Sequence, residues 1–577
     1  MSYIKKLNKK LIKLFDADVE AREENGLLIL SGTVKTHQDV VYAGTLSLNT
    51  KRYRGLVNDI RCTDERATPP RMPADKDTTL SSETPDVLII GGGIVGCAIA
   101  RELTRHNLDV ILVEKEPDLA MQASGRNDGL VHAGIDLRQD SRKFFYNRAG
   151  NRIFGDICAE LGVHFERPGQ FICFDNPLWI PILYLSLIYW SWIGLRNVKV
   201  LGKGKLRELE PSVRSDLCAA LYFPSTGIVS PYNLTIAYAE NAVQNGAKVF
   251  LDTAVTGMEV EDGLIKVVKT NRGKIRPRLV INAAGVFCED ISKMAEDRFY
   301  SIHPRKGTSA VLDKKYTDAI IRTAISSFGT AATKKAHTKG GGIFKTTYGN
   351  ALVGPDAIET IEKEDFTTHR NSIIGTLQRQ GQTVPGLSED KIITYFSGIR
   401  ACTYEEDFVV EKGRFTKNII HAAGIQSPGL TAAPAIGQDV ANIAVKLLGG
   451  EAVVEKRATF NPKRDAPPCL SKLDLEARAQ LIRENPDYGI IICRCEEVSK
   501  GEILDALRRN IPCYTLDGIK RRVRPGMGRC QGSFCGPLVL DIIAGEKGLS
   551  YSDVKKSGSK ADVLLGAVKQ KYMEGRK

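Results

Sequence analysis

The run "PDVLIIGGGIVGCAIARELTRHNLDVILVEKE", residues 85–116, narrows what this 577-residue chain can fold into more than any other stretch. An apolar strand enters Gly91-x-Gly93-x-x-Gly96, a helix "CAIARELTRHN" follows, and a second apolar strand "DVILVE" ends at Glu114. Strand, glycine turn, helix and strand make a βαβ unit, which predicts an α/β domain built on a parallel sheet. The glycines divide the physical work: Gly91 permits the tight turn, Gly93 lets the backbone approach a pyrophosphate, and Gly96 allows close packing of helix on strand. The helix N-terminus faces that anion. Glu114, 18 positions after Gly96, then stands where a carboxylate accepts from a ribose hydroxyl. The unit serves NAD and FAD alike.

At this length several domains are expected, each with its own core. The 81 Lys+Arg against 68 Asp+Glu leave a formal charge of +13, which favours an anionic substrate, membrane surface or nucleic acid. No basic stripe with interleaved aromatics is found, so no nucleic-acid partner is expected. The N-terminus "MSYIKKLNKKLIKLFDADVE" lacks the apolar core of a secretory signal. A cytoplasmic location is therefore expected, and the 13 cysteines read as thiols or metal ligands rather than disulfides.

Residues 1–62 read as helix, two strands, helix and strand; this order around "NGLLILSGTV" resembles a BON domain, which implies a docking role at membrane surfaces or proteins. Residues 63–84, rich in Pro, Thr, Ser and charge, have a linker composition. A second break at "NPKRDAPPC" opens a further linker over 461–485, before a cysteine-rich domain at 486–577.

Three later segments favour FAD over NAD. They are the small-residue loop "QASGRNDGLVHAGID" (122–136), the strand and glycine turn "RPRLVINAAG" (276–285), and "TKNIIHAAGIQSPGLTAAPAIG" (416–437). Together with the glycine unit they resemble the D-amino-acid-oxidase-like FAD oxidoreductases over residues 85 to about 455, which implies one oxidoreductase domain at 85–460. The resemblance implies a Rossmann-like FAD domain interleaved with a mixed-sheet substrate domain, the latter from about 140–270 and 300–395. It also implies cofactor contacts from Ser124, Gly125, Arg126, Asn127 and Gly129 in the first loop and from Gly285 in the second. The third segment adds Gly424, Gly429, Leu430 and Thr431. "GRNDGLVHAG" and "GIVSPYNLT" are most similar to one subunit of the anaerobic glycerol-3-phosphate dehydrogenases and to L-2-hydroxyglutarate oxidases.

Near the C-terminus Cys493 and Cys495, then Cys530 and Cys535, form C-x-C and C-x4-C pairs separated by 34 residues. Four thiolates suit zinc or an iron–sulfur cluster, but neither pair has the C-x2-C spacing of a zinc knuckle. "GMGRCQGSFC" resembles the bacterioferritin-associated-ferredoxin-like 2Fe-2S domain, which implies a cluster on these four residues. Cys513, in an apolar context, reads as core.

A flavin takes electrons in pairs and a 2Fe-2S centre passes them singly, so the combination points to a dehydrogenase that sends electrons to a partner subunit or quinone. The expected reaction is hydride transfer from a secondary alcohol, with His132 in the flavin loop as base or as a mere hydrogen-bond partner of that loop or of the cofactor. Arg400 in "GIRA" matches the family's arginine over the flavin face and suits a carboxylate or phosphate. Its alternative is a structural ion pair with Glu405 or Glu406. Lys306 matches the family's lysine in the substrate domain, its alternative being a solvated surface lysine. "AAGIQSPG" replaces the T-G-G-K turn of the glycerol-3-phosphate enzymes, and "GIRA" lacks the proline after the arginine. The substrate thus stands between glycerol 3-phosphate, which is favoured, and a 2-hydroxy acid. A non-catalytic electron-transfer subunit is the remaining alternative.

One stretch fits none of this. "NPLWIPILYLSLIYWSWIGLR" (176–196) holds all three tryptophans and no charge between Asp175 and Arg196. A helix over 178–195 is expected, and both its ends lie inside one domain, which a single membrane span does not allow. It reads as a monotopic membrane contact at the inner face of the cell membrane, a subunit interface, or a core helix.

Overall fold

The computed structural model describes residues 3–15, 18–327 and 341–566; the last residues of the expected 486–577 domain, 567–577, lie outside them. The N-terminal module runs α1 (Tyr3–Phe15), β1 (Val19–Glu24), β2 (Leu27–Val34), α2 (His37–Ser47), β3 (Leu56–Cys62). β2 pairs antiparallel with β1 and parallel with β3, so α2 is the crossover between two parallel strands. Thr36 and Asp39 close a capping box at the start of α2. The module is seated on the main body. Tyr404 enters its core, and the Asn58 amide donates to the Tyr404 hydroxyl at 2.8 Å.

The glycine unit forms as its pattern predicts. β4 (Val87–Ile90) and β5 (Val110–Val113) are buried on both faces, and α3 (Ile94–Leu103) connects them. They lie inside a six-stranded sheet ordered Lys248–Phe250, β5, β4, Leu279–Asn282, Ile419–Ala423, Val409–Lys412. All neighbours are parallel except the last pair. α3 shares one apolar core with α4 (Arg142–Glu160) and the late helix Gly429–Leu447.

The substrate side is a nine-stranded mixed sheet. Its strands come from residues 170–223 and 302–403, so the first portion ends well before 270. α7 (Pro231–Gln244) and the strand Lys248–Phe250 return to the parallel sheet instead, where their apolar faces find the core. Within the first portion, α5 (Ile180–Trp192) separates the strands Gln170–Phe174 and Lys199–Gly202, and α6 (Lys203–Leu209) precedes the strand Ala219–Phe223. The helix expected over 178–195 is shorter: Asn176 caps a 3-10 turn at Pro177–Trp179 and α5 follows, with Pro181 in its first turn. Among the described residues no helix is long and apolar enough to cross a membrane.

Residues 461–485 are not a loose tether. Asn461 accepts from the Asn241 and Asn245 amides through its carbonyl, Arg464 pairs with Glu240 at 2.7 Å, and Asp474 caps a helix Leu475–Glu484. The C-terminal domain is a hairpin, Ile491–Cys493 with Val498–Ser499, and three helices, Lys500–Arg508, Leu516–Val523 and Cys535–Lys547, around a small core.

Candidate functional site

β4 delivers the chain into Gly91 at φ +115°, where a Cβ would stand 2.5 Å from the Ala283 carbonyl oxygen. Only glycine fits there. At Gly93 a Cβ would meet nothing but the Ser124 hydroxyl, at 3.1 Å, which leaves an open cradle at the N-terminus of α3. Ser124 Oγ accepts from the Ile94 N–H at 2.8 Å. The buried Glu114 carboxylate accepts from the Gly92 N–H at 2.6 Å and the Glu116 N–H at 2.9 Å. Burial pushes its pKa up to about 7 against the pull of those two donors. Gly285 opens a 3-10 turn at the end of the neighbouring strand, with no atom within 4 Å of where a Cβ would be. Cradle, carboxylate and open turn fit a dinucleotide laid across the strand ends.

The 122–132 loop is tied to itself and to the late segment. Asn127 donates to the Ala123 and Ser124 carbonyls and accepts from the Gly129 N–H. Arg126 donates to the Met121 carbonyl at 2.9 Å and stacks 4.0 Å over the Phe366 ring. Gly125 lies against the Ala120 carbonyl. Arg126, Asn127 and Gly125 therefore shape the loop from within. The His132 N–H donates to Thr431 Oγ1 at 2.9 Å, and its carbonyl accepts from Asn151 at 2.9 Å and Asn147 at 3.3 Å. Its ring Nε2 stands 3.4 Å from Ser427 Oγ. The two loops that the sequence separates by some three hundred residues thus meet at His132, with Gly429, Leu430 and Thr431 forming the first turn of the late helix just beyond Gly424. Ser427 escaped the sequence reading, because a serine before a proline carries no signal of its own.

Arg400 and Lys306 come from one pair of long antiparallel strands, Ile302–Leu312 and Ile392–Thr403. Arg305 is directly opposite Arg400 and Lys306 opposite Ile399. Side chains alternate along a strand, so Lys306 faces away from Arg400. Lys306 is buried and pairs with Asp365 at 2.6 Å and Thr367 at 3.0 Å; it is not a solvated lysine. The ion pair weighed for Arg400 belongs to its neighbour: Arg305 takes Glu359 at 2.5 Å and Glu406 at 2.7 Å, while Glu405 accepts from the Leu56 N–H. Among the described residues, the hydrogen bond of Arg400 is to the Asp356 carbonyl at 3.0 Å. Its guanidinium lies across Gly307, and Gly398 two positions earlier abuts Arg126 of the flavin loop. Loss of water lowers its pKa.

In the C-terminal domain the four cysteines stand as two pairs. Cys495 and Cys530 have their sulfurs 3.7 Å apart, and the Cys493 and Cys535 thiols hydrogen-bond each other. Among the described residues no three His, Cys, Asp or Glu are gathered as for a single metal ion. Four soft sulfurs without carboxylate or imidazole fit an iron–sulfur cluster. Cys513 is buried in the domain core. The domain docks through Asp118, buried four residues beyond Glu114, which receives Arg521 at 2.7 Å and Arg522 at 2.9 Å. Beside this clamp the cluster loop touches α7: Tyr232 lies 3.4 Å from Met527 Sδ, and Arg524 donates to the Tyr232 hydroxyl at 2.9 Å. Pro231, the residue before it, lies against Gly129 of the flavin loop.

A family model described as FAD dependent oxidoreductase matches residues 86–443, and one described as a BFD-like 2Fe-2S binding domain matches 491–545. A "Glycerol 3-phosphate dehydrogenase" of Caloramator mitchellensis is 36% identical over 490 residues, covering 84% of this chain and 99% of the relative. One subunit of the anaerobic glycerol-3-phosphate dehydrogenase of Escherichia coli (strain K12) is 25% identical, covering 79% and 87%. Among solved structures, the FAD-bound, dithionite-reduced L-alpha-glycerophosphate oxidase of Mycoplasma pneumoniae superposes with a TM-score of 0.61 at 27% identity, covering 67% of this chain and all of that one. The glycine cradle, the converging loops and the paired cysteines have their explanation in these matches: the chain belongs to the FAD dependent oxidoreductase family and carries a 2Fe-2S binding domain behind the flavin fold.

Proposed function

We propose that the protein is an FAD-dependent dehydrogenase that oxidises the secondary alcohol of glycerol 3-phosphate. Its electrons leave through a 2Fe-2S cluster on Cys493, Cys495, Cys530 and Cys535 to a partner subunit or quinone. The observation that carries this reading is Arg400: a half-buried guanidinium that Arg305 relieves of Glu406, bonded to the Asp356 carbonyl and two residues from the strand position that abuts the flavin loop. A planar double donor in that setting suits phosphate. When bound, FAD supplies the hydride acceptor and the cluster the one-electron outlet.

His132 takes the hydroxyl proton at Nε2, with Thr431, Asn147 and Asn151 holding its backbone so that the ring is oriented before substrate arrives. Lys306, neutralised by Asp365 on the opposite strand face, serves to hold that strand in position. We place the protein in the cytoplasm at the inner face of the cell membrane, with residues 178–195 as its contact to lipid or to a partner subunit.

Anaerobic mixing with glycerol 3-phosphate, L-2-hydroxyglutarate and lactate is the test. Bleaching of the flavin by glycerol 3-phosphate is expected. Bleaching by a hydroxy acid alone would move the substrate, and no bleaching by any of them would favour an electron-transfer subunit.

A further inference from the structure

α5 is apolar all round, yet only its Leu183 is buried. Leu178 in the preceding turn is 80% exposed, and Leu185, Ile188 and Trp192 are 67%, 72% and 75% exposed. An apolar patch of this size is seldom left to water. On the inner side of the helix, Ser186 donates to the Leu183 carbonyl and accepts from the Trp190 indole at 3.1 Å; the Tyr189 hydroxyl accepts from the Gln139 amide at 3.1 Å. Trp190 packs edge-on against Phe223 at 5.2 Å and anchors the inner side.

The ends of the segment decide its orientation. It leaves from strand Gln170–Phe174 and returns into strand Lys199–Gly202, and both strands pair with Ala219–Phe223. Entry and exit therefore share one sheet. Thirteen helical residues span about 20 Å, short of the ~30 Å hydrocarbon core. Beyond the helix, Arg196, Lys199, Lys203, Lys205 and Arg207 are all exposed, against Asp175 and Glu208 on the acidic side. A second copy would bring this basic rim against itself.

We propose that α5 and its leading turn seat the protein in the headgroup layer of an anionic lipid bilayer, the helix lying in the membrane plane. Leu178, Leu185, Ile188 and Trp192 point into the acyl boundary, and the basic rim meets the headgroups. This deepens the contact surface proposed above and commits it to lipid; it is independent of the substrate.

The test is flotation of the full-length holoprotein with phosphatidylcholine vesicles, with and without phosphatidylglycerol. Flotation is expected with the anionic vesicles, and K199E/K203E should lower that binding about tenfold or more. L185S/I188S, which alters only exposed side chains, should lower it about a hundredfold. Both variants keep full flavin bleaching by the substrate, so a wrong substrate and a wrong membrane surface give different results. The proposal is overturned if the wild-type protein floats with neither vesicle, if L185S/I188S floats unchanged, or if that variant loses a co-purifying subunit while wild-type protein has no lipid affinity.

Discussion

Arg305 and Arg400 face each other across one strand pair and have opposite fates, because only Arg305 reaches Glu359 and Glu406. The residue type of Arg400 was legible from "GIRA", but which arginine would take Glu406 was not, since that depends on a register set by strands about ninety residues apart. The same holds for Lys306, whose partner Asp365 lies 59 residues on. The glycine cradle and the cysteine pairs were legible because their chemistry is local: a turn needs glycine, and a cluster needs thiolates. Arg400→Lys keeps the charge and loses the fork, so the KM for glycerol 3-phosphate should rise by about tenfold, corresponding to roughly 1.4 kcal/mol. The rate of flavin bleaching at saturating substrate should fall less. Stopped-flow absorbance across a substrate series separates the two. His132→Asn should instead lower that rate by about a hundredfold or more at unchanged FAD content.

The helices and strands of the N-terminal module follow its apolar periodicity, whereas its seat does not, because Gly44 reads as a weak point in a helix until Tyr404 is seen beneath it. A Cβ at Gly44 would stand 2.2 Å from the Cε1 edge of that ring. The ring has nowhere to go, being stacked on His303 at 4.7 Å and bonded to Asn58. Gly44→Val should therefore unseat the module at a cost of about 1–3 kcal/mol. Faster proteolytic cutting in residues 63–78, with an unchanged flavin spectrum, is the expected outcome. The 461–485 stretch teaches the converse: its Pro and charge content read as linker, while Asp474 had already marked the start of a helix.

Two cofactor domains in one chain need a fixed spacing, and a single buried carboxylate supplies much of it. Burial works to raise the pKa of Asp118, but Arg522 and Arg521 overcome it and hold it down at about 2. A depressed acid stabilises above its ordinary value of 3.8 and loses that contribution as pH falls through about 2, so the clamp stays closed at every pH at which the enzyme would work. Asp118→Asn strands two guanidinium groups and should weaken docking by about 3 kcal/mol or more. Flavin bleaching by substrate should persist while cluster reduction, followed by electron paramagnetic resonance, slows. The clamp also bears on assembly. Asp118 and Glu114 sit on the same short segment after β5, one turned toward the cluster domain and the other toward the dinucleotide cradle. Glu114 accepts from the chain's own Gly92 and Glu116 N–H groups, so the segment is anchored in advance and flavin-free protein should keep its C-terminal domain docked, as limited proteolysis would read. Either cofactor can then be loaded first, because the distance between the two sites is set by protein contacts alone.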